Sequence, residues 1–313
     1  MANTTLNSRA FIESEVYSGL ILRNLHDGLL PEQMYRNVSD FPAGETLHIK
    51  TIGSVTIQDG AEDSPIDLTP IESGTVYMHI TDWKADGWFV SDKLREDGSQ
   101  VEALMTARSM ESTRALQEEF ETSFLRQASR SQEDGDPNLI NGFSHRLASA
   151  EAGNVISLQH FIDMKLAFDK ANVPAGGRIA IVDPVVAATL DGYASLGRDI
   201  TNIGKSLLET GFATNHQFVM NLFGFDVITS NRLDRGEFSD GKTTVTDGVA
   251  NIFMNILDDQ TKPIMGAWRR MPKMETKRDP SKGRDEFYVS SRYGFGTQRV
   301  DTLGVIVTSA SNH

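Results

Sequence analysis

The chain has 313 residues, 39% of them apolar, no cysteine and a net charge of −13. That apolar content supports a sizeable core and excludes wholesale disorder. The missing cysteines exclude disulfides, thiolate catalysis and Cys-ligated zinc, and the acidic balance runs against a protein that lives on nucleic-acid phosphates.

The length predicts about two domains. No secretory pattern opens the sequence, and no run of 18 apolar residues is present to span a membrane. In chain order, Phe11, Ile12, Val16, Leu20, Ile21 and Leu25 recur at helical spacing and predict a helix stopped by Gly28. It either docks on its own domain or forms an arm that docks elsewhere. Residues 44–57 and 74–91 alternate as strands, with Leu47 and Ile49 against His48 and Lys50, and Val76, Met78 and Ile80 against Tyr77 and His79. Between them, residues 58–73 carry five acids and no base, which predicts a long hairpin with an acidic tip. An isolated hairpin is marginal in water, so this one needs a partner.

Residues 99–134 lack Gly and Pro and are rich in helix formers, predicting a long helix. Ser99 and Glu102 have capping-box spacing, and Leu116, Phe120 and Phe124 step by four along one face. Ser157 caps a second helix, whose buried side is predicted to carry Leu158, Phe161, Ile162, Lys165 and Phe168. Pro174 and Gly176-Gly177 end it. Ile179–Val182 reads as a buried strand, and Pro184 opens a further helix. Strands are predicted at Leu222–Ser230, Val249–Leu257, Phe287–Val289 and Val300–Val307.

Charge is segregated. Residues 262–299 hold ten Lys or Arg and four acids, a net +6, leaving −19 elsewhere. A basic stripe on an acidic body favours self-association, because complementary patches steer docking. The predicted inter-subunit contacts are Arg269, Arg270, Lys273, Lys277 and Arg278, facing the tip acids Asp59, Glu62 and Asp63 of a neighbour.

Few motifs carry chemistry. Gly236–Thr243 fits the phosphate-loop pattern G-x-x-x-x-G-K-[ST], and Ile179–Asp183 resembles a strand ending in a magnesium-binding Asp. A phosphate loop must open a helix, whose free N–H groups bind the anion. Here Thr244-Val245-Thr246 is β-branched and Asp234, Glu237 and Asp240 crowd the loop, so a surface turn is the better reading. The seven histidines show no metal-ligand spacing, and His48 and His79 read as surface positions on opposite strands. Trp268, Phe287, Tyr288 and Tyr293 read as strand core. No catalytic, cofactor or metal residue is assigned.

The order of these parts resembles the major capsid proteins of tailed bacteriophages, with the Hong Kong 97-type α+β fold. GETLHIKTIGSVTI (44–57) resembles the entry to the extended loop, ANVPAGGRIAIVDPVVAATL (171–190) the axial helix–turn–strand–helix, NLFGFDVITSNRL (221–233) the strand between, and RYGFGTQRVDTLGVIVTS (292–309) the closing strands. The resemblance implies an N-terminal arm at 1–43 and an extended β-hairpin loop at 44–91. It implies a peripheral domain at 92–155 and 261–299, with a spine helix near 98–130, and an axial α/β domain at 156–260 and 300–313. It further implies hexamers and pentamers of an icosahedral shell, assembled in the host cytoplasm and enclosing double-stranded DNA without sequence-specific binding. A separate scaffolding protein, a portal, and in some members a decoration protein would be partners. The Lys–Asn cross-link of some members does not carry over, since residues 51–83 contain no Lys. Two alternatives stay open: an encapsulin-like compartment, and a cytoplasmic nucleotide-binding enzyme using Gly236–Thr243.

Overall fold

A computed structural model describes residues 34–39, 44, 46–52, 57, 59, 73–98, 101–198 and 218–312. The predicted helix at 11–25 and its stop at Gly28 lie outside the described residues, as do the Ser99–Glu102 capping box and most of the acidic tip. The first half holds β1 (Arg36–Asn37), β2 (Thr46–Ile52), β3 (Ser73–His79), β4 (Asp82–Ser91), α1 (Asp92–Asp97), α2 (Val101–Arg130), β5 (Leu139–Ile140), β6 (Phe143–Ser144) and β7 (Arg146–Ala148). Then come α3 (Leu158–Lys170), β8 (Arg178–Val182), α4 (Pro184–Arg198), β9 (Phe218–Leu222), β10 (Phe225–Thr229), β11 (Arg235–Ser239), β12 (Thr244–Asn255), β13 (Ile264–Asp279), β14 (Arg284–Thr297) and β15 (Leu303–Ser309). The architecture is mixed α+β. Residues 86–98, 101–115 and 274–289 form a smaller compact unit, and the other described residues a larger one.

The larger unit is built on a seven-stranded sheet in the order β7-β15-β12-β8-β10-β9, with β11 also paired to β12. β8 and β10 run parallel, as do β7 and β15, while β12 is antiparallel to both β8 and β15. Every residue of β8 is buried. Its continuous apolar run is the signature of a strand covered on both faces. Ala180 and Val182 join Phe161, Met164 and Phe168 of α3 and Val186 and Leu190 of α4. Ile179 and Ile181 join Phe124, Leu125 and Ala128 of α2 on the opposite side. Gly304 of β15 fits under α3 because a Cβ there would overlap the Met164 sulfur.

Two readings of this region need correcting. Leu158, Ile162 and Lys165 of α3 are exposed, and the buried stripe is Phe161, Met164, Ala167 and Phe168. A stripe running i, i+3, i+6, i+7 meets the sheet, so an apolar residue four from another need not share its burial. The single strand expected at Leu222–Ser230 is a hairpin, because Phe223 and Gly224 both take positive φ (51° and 88°). Two such residues define a tight turn of the type that matches strand twist.

A second, four-stranded sheet has the order β1-β13-β14-β4. In the larger unit, Phe120 of α2 stacks on Trp268 with centroids 4.1 Å apart and meets Tyr293 edge-on at 4.8 Å. Burial pushes the Tyr293 hydroxyl up to about 12. In the smaller unit, Trp88 and Phe287 stack at 5.6 Å over Val90, Val101 and Met105. Phe287 and Tyr293 are therefore core and Trp268 is half-buried, but Tyr288 is 46% exposed and lies outside it. β2 and β3 pair antiparallel in full register from Thr46↔His79 to Ile52↔Ser73, but the second predicted strand, 74–91, is two: its later part is β4, which pairs with β14 in the four-stranded sheet and not with β2.

Candidate functional site

The basic stripe runs along β13 and β14. Alternation along β13 divides the stripe: Arg269, Lys273 and Lys277 fall on one set of positions, Arg270 and Arg278 on the other. Arg269, Lys273 and Lys277 are exposed. Arg270 is half-buried, with its guanidinium 5.9 Å from the Trp83 ring. Arg278 is bound within the chain. It holds Asp92 through two contacts of 2.5 and 2.7 Å and Asp285 at 3.2 Å. The Arg278 hydrogen bond holds the Asp92 carboxyl below the usual carboxylate range. Pro272 lies where β13 has passed its last pairing with β1 at Gly266, so its missing N–H costs no ladder bond on that side. Of the tip acids, Asp59 is exposed, and Glu62 and Asp63 lie outside the described residues.

The phosphate-loop pattern forms no phosphate loop. β11 ends at Ser239 and β12 starts at Thr244, so Asp240–Thr243 is the turn of a hairpin. Asp240 Oδ1 accepts the N–H groups of Lys242 (2.9 Å) and Thr243 (2.7 Å), and Oδ2 accepts that of Ala148 (3.0 Å). The donors a phosphate would need are thus used by a carboxylate of the chain itself. Burial raises the Asp240 pKa, but these donors outweigh it and hold the group below its ordinary value. Gly241 is required there: its φ is +84°, and a Cβ would fall 2.6 Å from the Gly135 carbonyl. Asp183 is likewise occupied. Its Oδ2 accepts the Val185 N–H in the first turn of α4, and Oδ1 accepts from Arg235 at 3.1 Å.

Among the described residues the histidines do not converge. His48 packs edge-on against Tyr77 at 4.9 Å, and His79 Nδ1 lies 3.1 Å from Thr46 Oγ1. Among the described residues no cluster of three or more His, Asp or Glu is arranged to hold a metal ion. A depression of about 410 Å³ lined by Thr122, Arg126 and Asn231–Arg235 is self-compensated in charge. Arg126 and Arg130 face Asp234 at 3.8 and 3.3 Å, and Arg232 faces Glu118 and Glu121 at 3.3 Å each.

Sequence reasoning missed one residue that organises this end of the larger unit. Arg146 is 1% exposed and donates to the Ser239 and Ser129 carbonyls and to Asp134. It ties β7 to the end of α2 and to the β11 hairpin. Nothing in the local pattern marks an arginine for burial. The nearby Asp-Gly pairs at 134–135 and 240–241 are the turn signals that bring its acceptors together.

The sequence profile of the phage capsid protein family matches residues 74–308, most of the chain, and the chain belongs to that family. Solved structures agree on the Hong Kong 97-type fold. Mycobacterium phage Che8 aligns at 18% identity with a TM-score of 0.67, covering 94% of this chain and 97% of that one. The capsid of cyanophage P-SCSP1u gives 15% identity and a TM-score of 0.72, with coverage of 98% and 95%. The mature capsid of bacteriophage PhiM1 gives 14% and 0.72, with coverage of 100% and 98%. No curated protein sequence matches the chain. The protein is a structural major capsid protein of a tailed phage, a component of the virion that assembles with itself into a shell.

Proposed function

We propose that the chain builds hexamers and pentamers of an icosahedral shell around packaged double-stranded DNA, and that it catalyses no reaction. The family match across residues 74–308 carries this reading and favours a viral shell over a cargo compartment. In this reading residues 1–43 are the arm and 44–91 the extended loop. Residues 92–155 with 261–299 are the peripheral domain, and 156–260 with 300–313 the axial domain. Scaffolding protein and portal are separate chains, and assembly takes place in the host cytoplasm.

The exposed bases Arg269, Lys273 and Lys277, with Arg270 beside Trp83, meet the acids Asp59, Glu62 and Asp63 of a neighbouring copy. Arg278 serves its own subunit through Asp92 and Asp285. Each exposed pair is worth roughly 0–1 kcal/mol, yet the pair repeats at every contact of a closed shell. Reversing Arg269 and Lys273 to Glu blocks empty-shell assembly in negative-stain micrographs, and reversing the three tip acids to Lys partly restores it. Normal empty shells with impaired DNA packaging alone would instead assign the stripe to DNA.

A further inference from the structure

α3 is fastened near both ends by an imidazole. At its start, the Ser157 backbone N–H donates to His160 Nδ1 at 3.0 Å, and Ser157 Oγ lies 3.1 Å from the same nitrogen. A ring nitrogen that accepts a backbone N–H carries a lone pair, so it cannot also carry a proton. Charging His160 would set one N–H against another and open the first turn. Toward the other end, His145 is fully buried and stacked on Phe168 of α3, with centroids 5.6 Å apart and planes at 18°. Its Nδ1 lies 3.1 Å from the Leu303 carbonyl, which makes Nδ1 the protonated nitrogen of the neutral ring. Its Nε2 is buried and has no hydrogen-bond partner. A second proton there would place a charge beneath the helix, in contact with Phe168 and the sheet.

We propose that α3 is acid-labile: His160 closes its first turn, and His145 packs its far end on the sheet, only while both rings are uncharged, and protonation loosens the helix.

The charged groups facing each ring oppose this and do not overcome it. Burial depresses the His160 pKa against the pull of Glu151 and Asp163. Burial depresses that of His145 against the Leu303 carbonyl, Asp301 and the Ala167 carbonyl. A histidine whose folded pKa lies below its unfolded value adds stability that is present above the unfolded value and lost as pH falls through the folded one. The loosening therefore falls on the acid side of the ordinary histidine range.

Hydrogen–deuterium exchange of the purified chain tests this lability at about pH 7.5 and about pH 5.5, corrected for intrinsic rates. Peptides covering 158–170 lose more than about twice as much protection on acidification as peptides of β12 and β15. His160→Gln supplies an amide oxygen that accepts the Ser157 N–H without titrating, and this variant loses less protection than the wild type. The buried His145 ring needs no substitution: its NMR titration in the wild-type chain falls below the ordinary histidine value. Equal loss in α3 and the sheet, an undiminished loss in His160→Gln, or an ordinary titration of His145 would overturn the proposal.

Discussion

All of β8 in the larger unit is buried between two helical layers, whereas no residue of β13 from Met274 to Asp279 in the smaller unit is buried. The larger unit excludes water with Phe161, Phe168, Phe225 and Phe253 packed edge to face, at centroid distances of 5.1–5.5 Å. The smaller unit has one modest apolar cluster around Trp88 and Phe287. Among its described residues it is also tied by partly exposed ion pairs, including Arg278 with Asp92 and Asp285, Arg95 with Asp285, and Arg108 with Asp86. Salt screens exposed ion pairs and does not screen apolar burial. The larger unit thus has the build of a permanent frame, and the smaller one that of a region adjustable by its surroundings.

The strongest test of this contrast is a matched pair of truncations. Phe253→Ala opens a cavity in the frame and costs about 3–5 kcal/mol in urea unfolding. Phe287→Ala changes the global midpoint little and raises protease cleavage within 86–115 and 274–289. An equal global loss from both would show that the units share one core. A smaller effect comes from charge. Arg278→Met speeds cleavage of 274–289 at low salt, and the difference from wild type vanishes near 1 M salt, where the screening length is about 3 Å. A difference that persists at high salt would mean that Arg278 acts through packing. The smallest effect belongs to the hairpin turn. Lys242→Ala shifts stability by less than about 0.5 kcal/mol, and ATP raises the melting temperature of neither form. An ATP-dependent rise lost in the variant would restore the nucleotide reading.

Much of the frame was legible in the sequence. The unbroken apolar run Ile179–Val182 and the four-residue step of Leu116, Phe120 and Phe124 are local patterns, and both elements formed as read. The Gly-Lys-Thr at 241–243 is legible as a turn, because the β-branched residues after it favour a strand over a helix. The misses depend on long-range partners. Leu158 and Ile162 look like core until the sheet shows which stripe of α3 it touches. Arg146 looks like a surface residue until β7, α2 and the β11 hairpin surround it with carbonyls. The basic stripe is visible as composition, but strand alternation sorts its members, and Arg278, though exposed, is engaged by Asp92 of its own chain.

β15 lies between β7 and β12, with all seven of its residues buried. It pairs with β7 across a long stretch of sequence, Val305 beside Arg146 and Val307 beside Ala148. While the chain is being made, β7 emerges early and must wait for nearly everything after it before its neighbour exists. Until then a slot stands open between β7 and β12, bordered by two unpaired strand edges. Such long-range pairings fold slowly and leave sticky intermediates. The same arrangement acts as a proofreading step: a chain cut short before Leu303 cannot fill the slot, and so cannot offer a finished surface to its neighbours.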